Sequence, residues 1–280
     1  MIKQAIIPLA GLGTRLLPLT SVIPKELLPI NGRPGIEYII DECIEAGIKE
    51  LIFVISKKKE IIKKYYHSDT FYKSLIKKKK NNRLFLEYNR IKKYKKMIKF
   101  VYQNKPMGTG DAVLKCKRLI KSSHFLMLLP DDLITKFNCS KEMINIHNKF
   151  NCNVIASKKV NKKDVSRWGI LKTKKINKRN FSIKDVVEKP SIKKAPSNLA
   201  IIGRYVLPKK IFKILPNIKK GKGGEFHITD AIKSLVNSDD NFIGYIFKGT
   251  YLDCGSMKGY INSSKEISKI WNCVLLARGM

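Results

Sequence analysis

The sequence is short of the residues on which many chemistries depend. Six cysteines and four histidines are scattered through 280 residues, with no Cys-x-x-Cys pair and no His-Glu-x-x-His. That argues against a zinc site or a zinc protease. Cys43, Cys116, Cys139, Cys152, Cys254 and Cys273 form no disulfide framework expected of a chain this long, which points to a reduced, cytoplasmic setting. His67, His124, His147 and His227 stand alone and read as structural or surface histidines. No apolar run approaches the roughly 20 residues of a spanning helix, so no membrane partner is expected. The first residues enter a strand at once, without the charged region and cleavage site of a secretory signal.

Acidic residues are scarce as well. There are 22 against 57 basic ones, for a net charge of +35. Such an excess first suggests a polyanion such as nucleic acid. Arginine, however, supplies only nine of the cations, and groove readers rely on its planar fork. Lysine, isoleucine and asparagine are abundant together and share A/T-rich codons. Genomic base composition therefore accounts for the charge, and no specific nucleic-acid partner is expected.

What is present begins at the N-terminus. Ala5 to Ala10 is an apolar run that ends in Gly11-Leu12-Gly13-Thr14-Arg15, followed by Pro24-Lys25-Glu26-Leu27-Leu28-Pro29. This pattern reads as a buried strand, a glycine turn and a basic arm. Glycines at the carboxyl end of a strand let the backbone approach a ligand, and their N–H groups can cradle an anion. Neither the third glycine of a dinucleotide fingerprint nor the Gly-Lys-Ser/Thr of a Walker loop is there. Thr14, Arg15 and Lys25 add a hydroxyl and two cations, and Glu26 can accept hydrogen bonds from a base or sugar. A nucleoside triphosphate site and a plain tight turn both remain open on these residues alone.

Further along, residues 34–47 carry proline near the start, glycine at the end and apolar residues at helical spacing. Residues 49–56 read as a buried strand and 57–67 as a helix, so right-handed crossovers and a mostly parallel sheet follow. Residues 68–96 are lysine-rich and interleaved with aromatics; they read as a solvated helical hairpin or excursion, with a polyanion or membrane-surface patch as the alternative. A strand at 98–103 precedes Met107-Gly108-Thr109-Gly110, which opens a helix reaching Leu119. The strand His124 to Leu129 runs into Pro130-Asp131-Asp132 and places carboxylates at the sheet's carboxyl edge, where open α/β sheets bind ligands. Mg²⁺ is commonly held there by one or two carboxylates together with substrate phosphates.

In the second half, 152–157, 169–173, 183–188 and 200–206 read as short strands between basic turns. Helices at 208–215 and 228–236 follow, then a strand at 242–247, Leu252-Asp253-Cys254-Gly255, and a last helix from Ser256 to Trp271. The expected fold is α/β: a Rossmann-like, mostly parallel mixed β-sheet flanked by helices, with a smaller mixed β extension. No linker interrupts it, so residues 1–280 read as one domain with halves at 1–135 and 136–280.

The strings AGLGTRLLPLT and PKELLPI resemble the signature of the sugar-phosphate nucleotidyltransferases, most closely the bacterial UTP:glucose-1-phosphate uridylyltransferases. Further strings agree in the same order over nearly the whole chain. The resemblance implies transfer of uridylyl from UTP to glucose 1-phosphate, giving UDP-glucose and pyrophosphate with Mg²⁺. It implies that the first half binds nucleotide and the second half, with its β extension, the sugar phosphate. Ala10, Gly11, Gly13, Thr14, Glu26, Gln103 and Gly108 would surround the nucleotide. Arg15 and Lys25 would take the triphosphate. Asp131 would be the principal metal ligand and Asp253 the second. Gly169, Glu188, Lys189, Asn198 and Gly203 would hold the sugar phosphate, although Gly203 could equally serve close packing. Arg15, Lys25, Asp131 and Lys189 would carry catalysis, and self-association as a homodimer or homotetramer is implied.

Met107 and Met257 stand where the family usually carries lysine, and Trp168 where it usually carries tyrosine. The same chemistry with dTTP or another sugar is one alternative; a noncatalytic regulatory paralogue is the other.

Overall fold

The structure, a computed structural model, describes residues 1–67, 73–76 and 82–277. A nine-stranded sheet runs through it. Its first strand, β1 (Gln4–Pro8), lies between β4 (Glu50–Ile55) and β6 (His124–Leu128), parallel to both, and β5 (Ile98–Tyr102) extends the parallel set beyond β4. On the other side β11 (Leu199–Pro208) pairs antiparallel with β6 and with β8 (Asn153–Lys159). Then come β12 (Phe242–Ile246), parallel to β8, and the antiparallel β10 (Asn180–Glu188) and β9 (Gly169–Lys175). The sheet is thus parallel on one side and mixed on the other. The second half of the chain extends the first half's sheet.

Strand periodicity explains the two cores. Successive side chains point to opposite faces, so Ala5, Ile7, Leu51, Phe53, Leu126 and Leu128 share one cluster while Ile6, Ile52, Val54, Phe125 and Met127 share the other. Both faces are covered by helices, which is why these strands read as continuous apolar runs. The helix Gly35–Glu45 follows Pro34 and ends before Gly47, whose φ of 85° suits glycine. It lays Ile36, Ile39, Ile40 and Cys43 on the first core.

Several expected bounds differ. The helix expected at 208–215 is one α-turn, Ile211–Ile214, followed by a 3₁₀ turn, because β11 continues to Pro208. The last helix runs Met257–Ala277, and the helix after Gly108 is confined to Thr109–Lys115. A helix at Cys139–Phe150, capped by the Asn138 side chain, was not anticipated. Of the 68–96 excursion, 68–72 and 77–81 lie outside the described residues. Its described parts are residues 73–76, which are helical, and the helix Asn82–Met97, in which Ile91 and Tyr94 are buried against the first core.

Two short elements escaped the sequence reading. A hairpin joins β2 (Pro29–Ile30) to β3 (Arg33–Pro34). A two-stranded ribbon pairs β7 (Asp132–Thr135) with β13 (Thr250–Asp253), and its register sets Asp253 opposite Asp132. Among the described residues no helix is long and apolar enough to cross a membrane.

Candidate functional site

From β1 the chain moves outward to β4 and β5, then returns on the other side to form β6. The carboxyl ends of β1 and β6 therefore flank a switch point, where open α/β sheets leave a crevice. After β1, Leu9 still donates its N–H to Val54 O at 2.7 Å, and the glycine turn then leaves the sheet. A side chain at Gly11 would meet no neighbouring atom, so the backbone there faces open space. Gly13, at φ 69°, starts the 3₁₀ turn Thr14–Leu16, which carries Arg15 over the crevice with 61% of its side chain exposed.

Asp131 lies on the opposite wall. Lys25 Nζ donates to its Oδ2 at 2.6 Å, and an Arg15 Nη2 stands 3.4 Å from the same oxygen. Burial alone would raise the Asp131 pKa, but the Lys25 ammonium beside it, with Arg15, holds it below the usual carboxylate range. Lys25 responds in kind. Its burial works to lower its pKa, and the charge of Asp131, helped by Glu26, outweighs this and raises it.

The β7–β13 ribbon gathers the other acids. Asp132 accepts hydrogen bonds from Tyr251 Oη at 2.6 Å and from the Gly203 N–H at 2.9 Å; burial and the charge of Asp131 push its pKa up. Asp253 takes the Gly255 N–H at 2.8 Å and faces an Arg167 Nη2 at 3.6 Å. Like charges opposite one another destabilise a strand pair, so the ribbon concentrates negative charge that the surrounding cations offset.

Two cavities open from this point. The first, about 440 Å³, is lined by Ala10, Gly11, Gly13, Thr14, Arg15, Lys25, Glu26, Gln103, Gly108 and Asp131. The second, about 270 Å³, is lined by Gly169, Glu188, Lys189, Gly203 and Asp253, with Arg15 and Asp131 again. Arg15, Thr109, Leu129, Asp131 and Glu225 belong to both walls. The candidate residues thus divide between two adjoining chambers, with one exception. Asn198 lines neither: its Nδ2 donates to Val160 O at 3.0 Å and holds the end of β11 to the loop after β8.

Each wall has a local cause. Gln103 prolongs β5 by donating its N–H to Ile55 O, while its Nε2 donates to Gly108 O at 3.0 Å and Asp111 Oδ2 at 2.7 Å. A side chain at Gly203 would sit 2.5 Å from Leu129 Cβ and 2.6 Å from Asp132 Oδ2, so this glycine both lines the cavity and permits close packing. Glu188 Oε2 accepts from Thr229 Oγ1 at 2.9 Å, and Lys189, at φ 43°, follows with its Nζ 3.6 Å from Glu188 Oε1. That left-handed conformation is strained for a non-glycine residue. It turns the chain sharply as β10 ends.

Sequence reasoning missed several participants. Lys59 donates to Leu9 O at 2.7 Å and to both Glu26 oxygens at 2.8 Å, so Glu26 is anchored by a buried cation. Burial pulls the Lys59 pKa down despite the opposing pull of Glu26. In the sequence Lys59 closes a run of three lysines, and one buried residue in three consecutive charges leaves no periodic signal. Thr109, Thr229 and Tyr251 likewise lacked one, being single hydroxyls in ordinary elements. The Arg167 guanidinium lies 4.7 Å over the Trp168 ring, an aromatic contact that orients it at the second cavity.

Residues 4–270 match the family model described as Nucleotidyl transferase. The chain is 35% identical over 269 residues to a UTP--glucose-1-phosphate uridylyltransferase of Pseudomonas aeruginosa, covering 94% of this chain and 95% of the relative. A crystal structure of UDP-glucose pyrophosphorylase complexed with UDP-glucose superposes with a TM-score of 0.86 at 37% identity, covering 96% of this chain and 99% of that one. UTP-bound UGPase from Acinetobacter baumannii superposes with a TM-score of 0.85 at 35% identity, covering 95% and 93%.

Proposed function

The chain belongs to the nucleotidyl transferase family, and we propose that its two joined cavities hold the two substrates of the reaction on either side of Asp131, Lys25 and Arg15. It transfers the uridylyl group of UTP to α-D-glucose 1-phosphate, giving UDP-glucose and pyrophosphate. The observation that carries the proposal is the shared wall, since Arg15 and Asp131 border both chambers.

The roles follow from position. Ala10, Gly11, Gly13, Thr14, Glu26, Gln103 and Gly108 receive the nucleoside and its phosphates in the first chamber, which draws every lining residue but Glu225 from residues 1–135. Gly169, Glu188, Lys189 and Gly203 receive glucose 1-phosphate in the second. Glu188 offers an acceptor to sugar hydroxyls, and Lys189 a cation to the phosphate. A phosphate monoester has a second pKa of about 6 and is mostly a dianion at neutral pH, so its oxygen can attack the α-phosphorus directly. No protein base is needed for that attack. The difficulty is bringing two polyanions together. Lys25 and Arg15 offset charge on the transferring phosphoryl and the departing pyrophosphate.

Mg²⁺ fits the acidic side of this wall. A Cβ placed on Gly255 would fall 2.7 Å from Asp131 Oδ2 and 3.1 Å from Asp253 Oδ1, so both carboxylates face the space glycine leaves, which the flexible Arg15 guanidinium also borders at 2.6 Å. Among the described residues no cluster of three acidic, histidine or cysteine groups could hold a metal unaided. That donor set suits an ion that takes one or two carboxylates and completes its shell with phosphates and water. Asp131 and Asp253 would hold it, and bound there it supplies positive charge to the triphosphate.

The test is pyrophosphate release by the purified chain with glucose 1-phosphate and UTP, dTTP, CTP, ATP or GTP in turn, with Mg²⁺ and with EDTA. Turnover with UTP that EDTA abolishes is expected. Equal or faster turnover with dTTP would overturn the uridylyl assignment, and full activity in EDTA the metal assignment. The buried free cysteines support a cytoplasmic setting, and the proposed homodimer or homotetramer is checked by sedimentation.

A further inference from the structure

A third cavity, about 660 Å³, opens at the far end of β8, β10 and β12 and shares no lining residue with the first. Lys158, Lys159, Lys175, Lys178 and Arg179 line it, and no acidic side chain does. None of the five has a carboxylate partner among the described residues. Lys158 lies 4.7 Å over the Tyr251 ring, and the Arg179 guanidinium donates to the carbonyls of Ile246 and Phe247 at 3.2 and 3.4 Å. Five cations with no acidic side chain beside them in the wall mark a place for an acceptor-rich anion. Lysines on convex surface repel one another into solvent; here they converge on a concave space of small-molecule size.

We propose that this groove binds a small polyphosphate anion, whose clustered charges match the cations. A duplex nucleic acid would not enter a space this small. The groove is also joined to the second cavity. Tyr251 lines both, its ring beneath Lys158 and its hydroxyl donating to Asp132 at 2.6 Å. An anion that draws Lys158 off the ring therefore reaches the glucose 1-phosphate chamber through one side chain. This second part rests on the function proposed above.

The experiment is calorimetric titration of the full chain with inorganic tripolyphosphate and, separately, with ATP. Three variants accompany wild type: Lys175→Glu/Lys178→Glu in the groove, Arg15→Ala/Lys25→Ala in the first cavity, and Lys92→Glu/Lys93→Glu on exposed helix surface as a charge control. One site is expected to persist in the last two and to weaken on the order of tenfold or more in the first, the scale of losing charged hydrogen bonds. Comparable binding of both ligands assigns the contact to the phosphates; clearly tighter ATP binding adds the base. Equal losses in the groove and control variants, or no site surviving Arg15→Ala/Lys25→Ala, would overturn the groove. With the site established, tripolyphosphate is expected to change KM for glucose 1-phosphate several-fold in wild type and not in Lys175→Glu/Lys178→Glu. An unchanged KM would overturn the link through Tyr251 while leaving the site standing.

Discussion

Lys25 Nζ and Asp131 Oδ2 lie 2.6 Å apart although 106 residues separate them. The side chains are 15% and 16% exposed, so the pair sits where charge is poorly screened. Lys25→Met removes the nearer cation and leaves Asp131 facing Arg15 at 3.4 Å. Loss of one preorganised donor to a developing charge costs on the order of 10²–10³ in kcat. Initial rates of pyrophosphate release should fall by that much while the far-ultraviolet spectrum is unchanged. A rate within threefold of wild type would remove Lys25 from the reaction.

Arg204 is fully buried and donates to Glu42 at 2.8–3.1 Å and to Leu129 O at 3.1 Å, tying the segment that bears Asp131 to the helix Gly35–Glu45. Glu42 also accepts from Ser140 Oγ at 2.6 Å. Glu42→Ala strands a buried guanidinium and is expected to cost about 3–5 kcal/mol, read from urea unfolding. Arg204→Met with Glu42→Leu should recover part of that, because no unpaired charge remains. A loss below about 1 kcal/mol in Glu42→Ala would show that water reaches the cation.

How much of this was legible in the chain depended on range. The apolar run ending at Gly11, the helix bounded by Pro34 and Gly47, and the carboxylates after β6 are local patterns, and the sheet's carboxyl edge could be inferred from them. The β7–β13 ribbon could not. Each strand is four residues long, and Asp132 and Tyr251 are 119 positions apart. Nothing in either segment names the other. Arg204 was hidden differently: in a strand buried throughout, one charge reads as an interruption until its partner Glu42 is known. Asn198 sat in a string matched to the sugar side, yet its side chain serves the backbone of Val160.

The His124 and His147 rings lie 4.4 Å apart. Burial, then the charge of His147, hold the His124 pKa below 6.5; Asn153 and Asp240 oppose this weakly, and the N-terminal ammonium adds to it. As pH falls, the unfolded chain therefore takes up this proton before the native one does. The resulting stability is complete above 6.5 and is lost as pH drops through the lower native value. Urea midpoints should decline between pH 7.5 and pH 5 in wild type, and less steeply in His124→Gln. An equal or steeper decline in the variant would assign the acid sensitivity to other groups.

Gly203 carries the last test, because its two readings separate there. Its backbone is in strand β11, so a methyl group is opposed by neighbours and not by its own conformation. Gly203→Ala would place that methyl 2.5 Å from Leu129 Cβ and 2.6 Å from Asp132 Oδ2, the oxygen that now accepts the Gly203 N–H. Overpacking of this kind costs about 1–3 kcal/mol. If Gly203 served packing alone, the melting temperature would fall and both KM values would stay. If the close approach also shapes the second chamber, displaced Asp132 should raise KM for glucose 1-phosphate several-fold while KM for UTP, proposed for the other chamber, moves little. That asymmetry is the expected result; equal changes in the two KM values would assign Gly203 to the fold and not to the site.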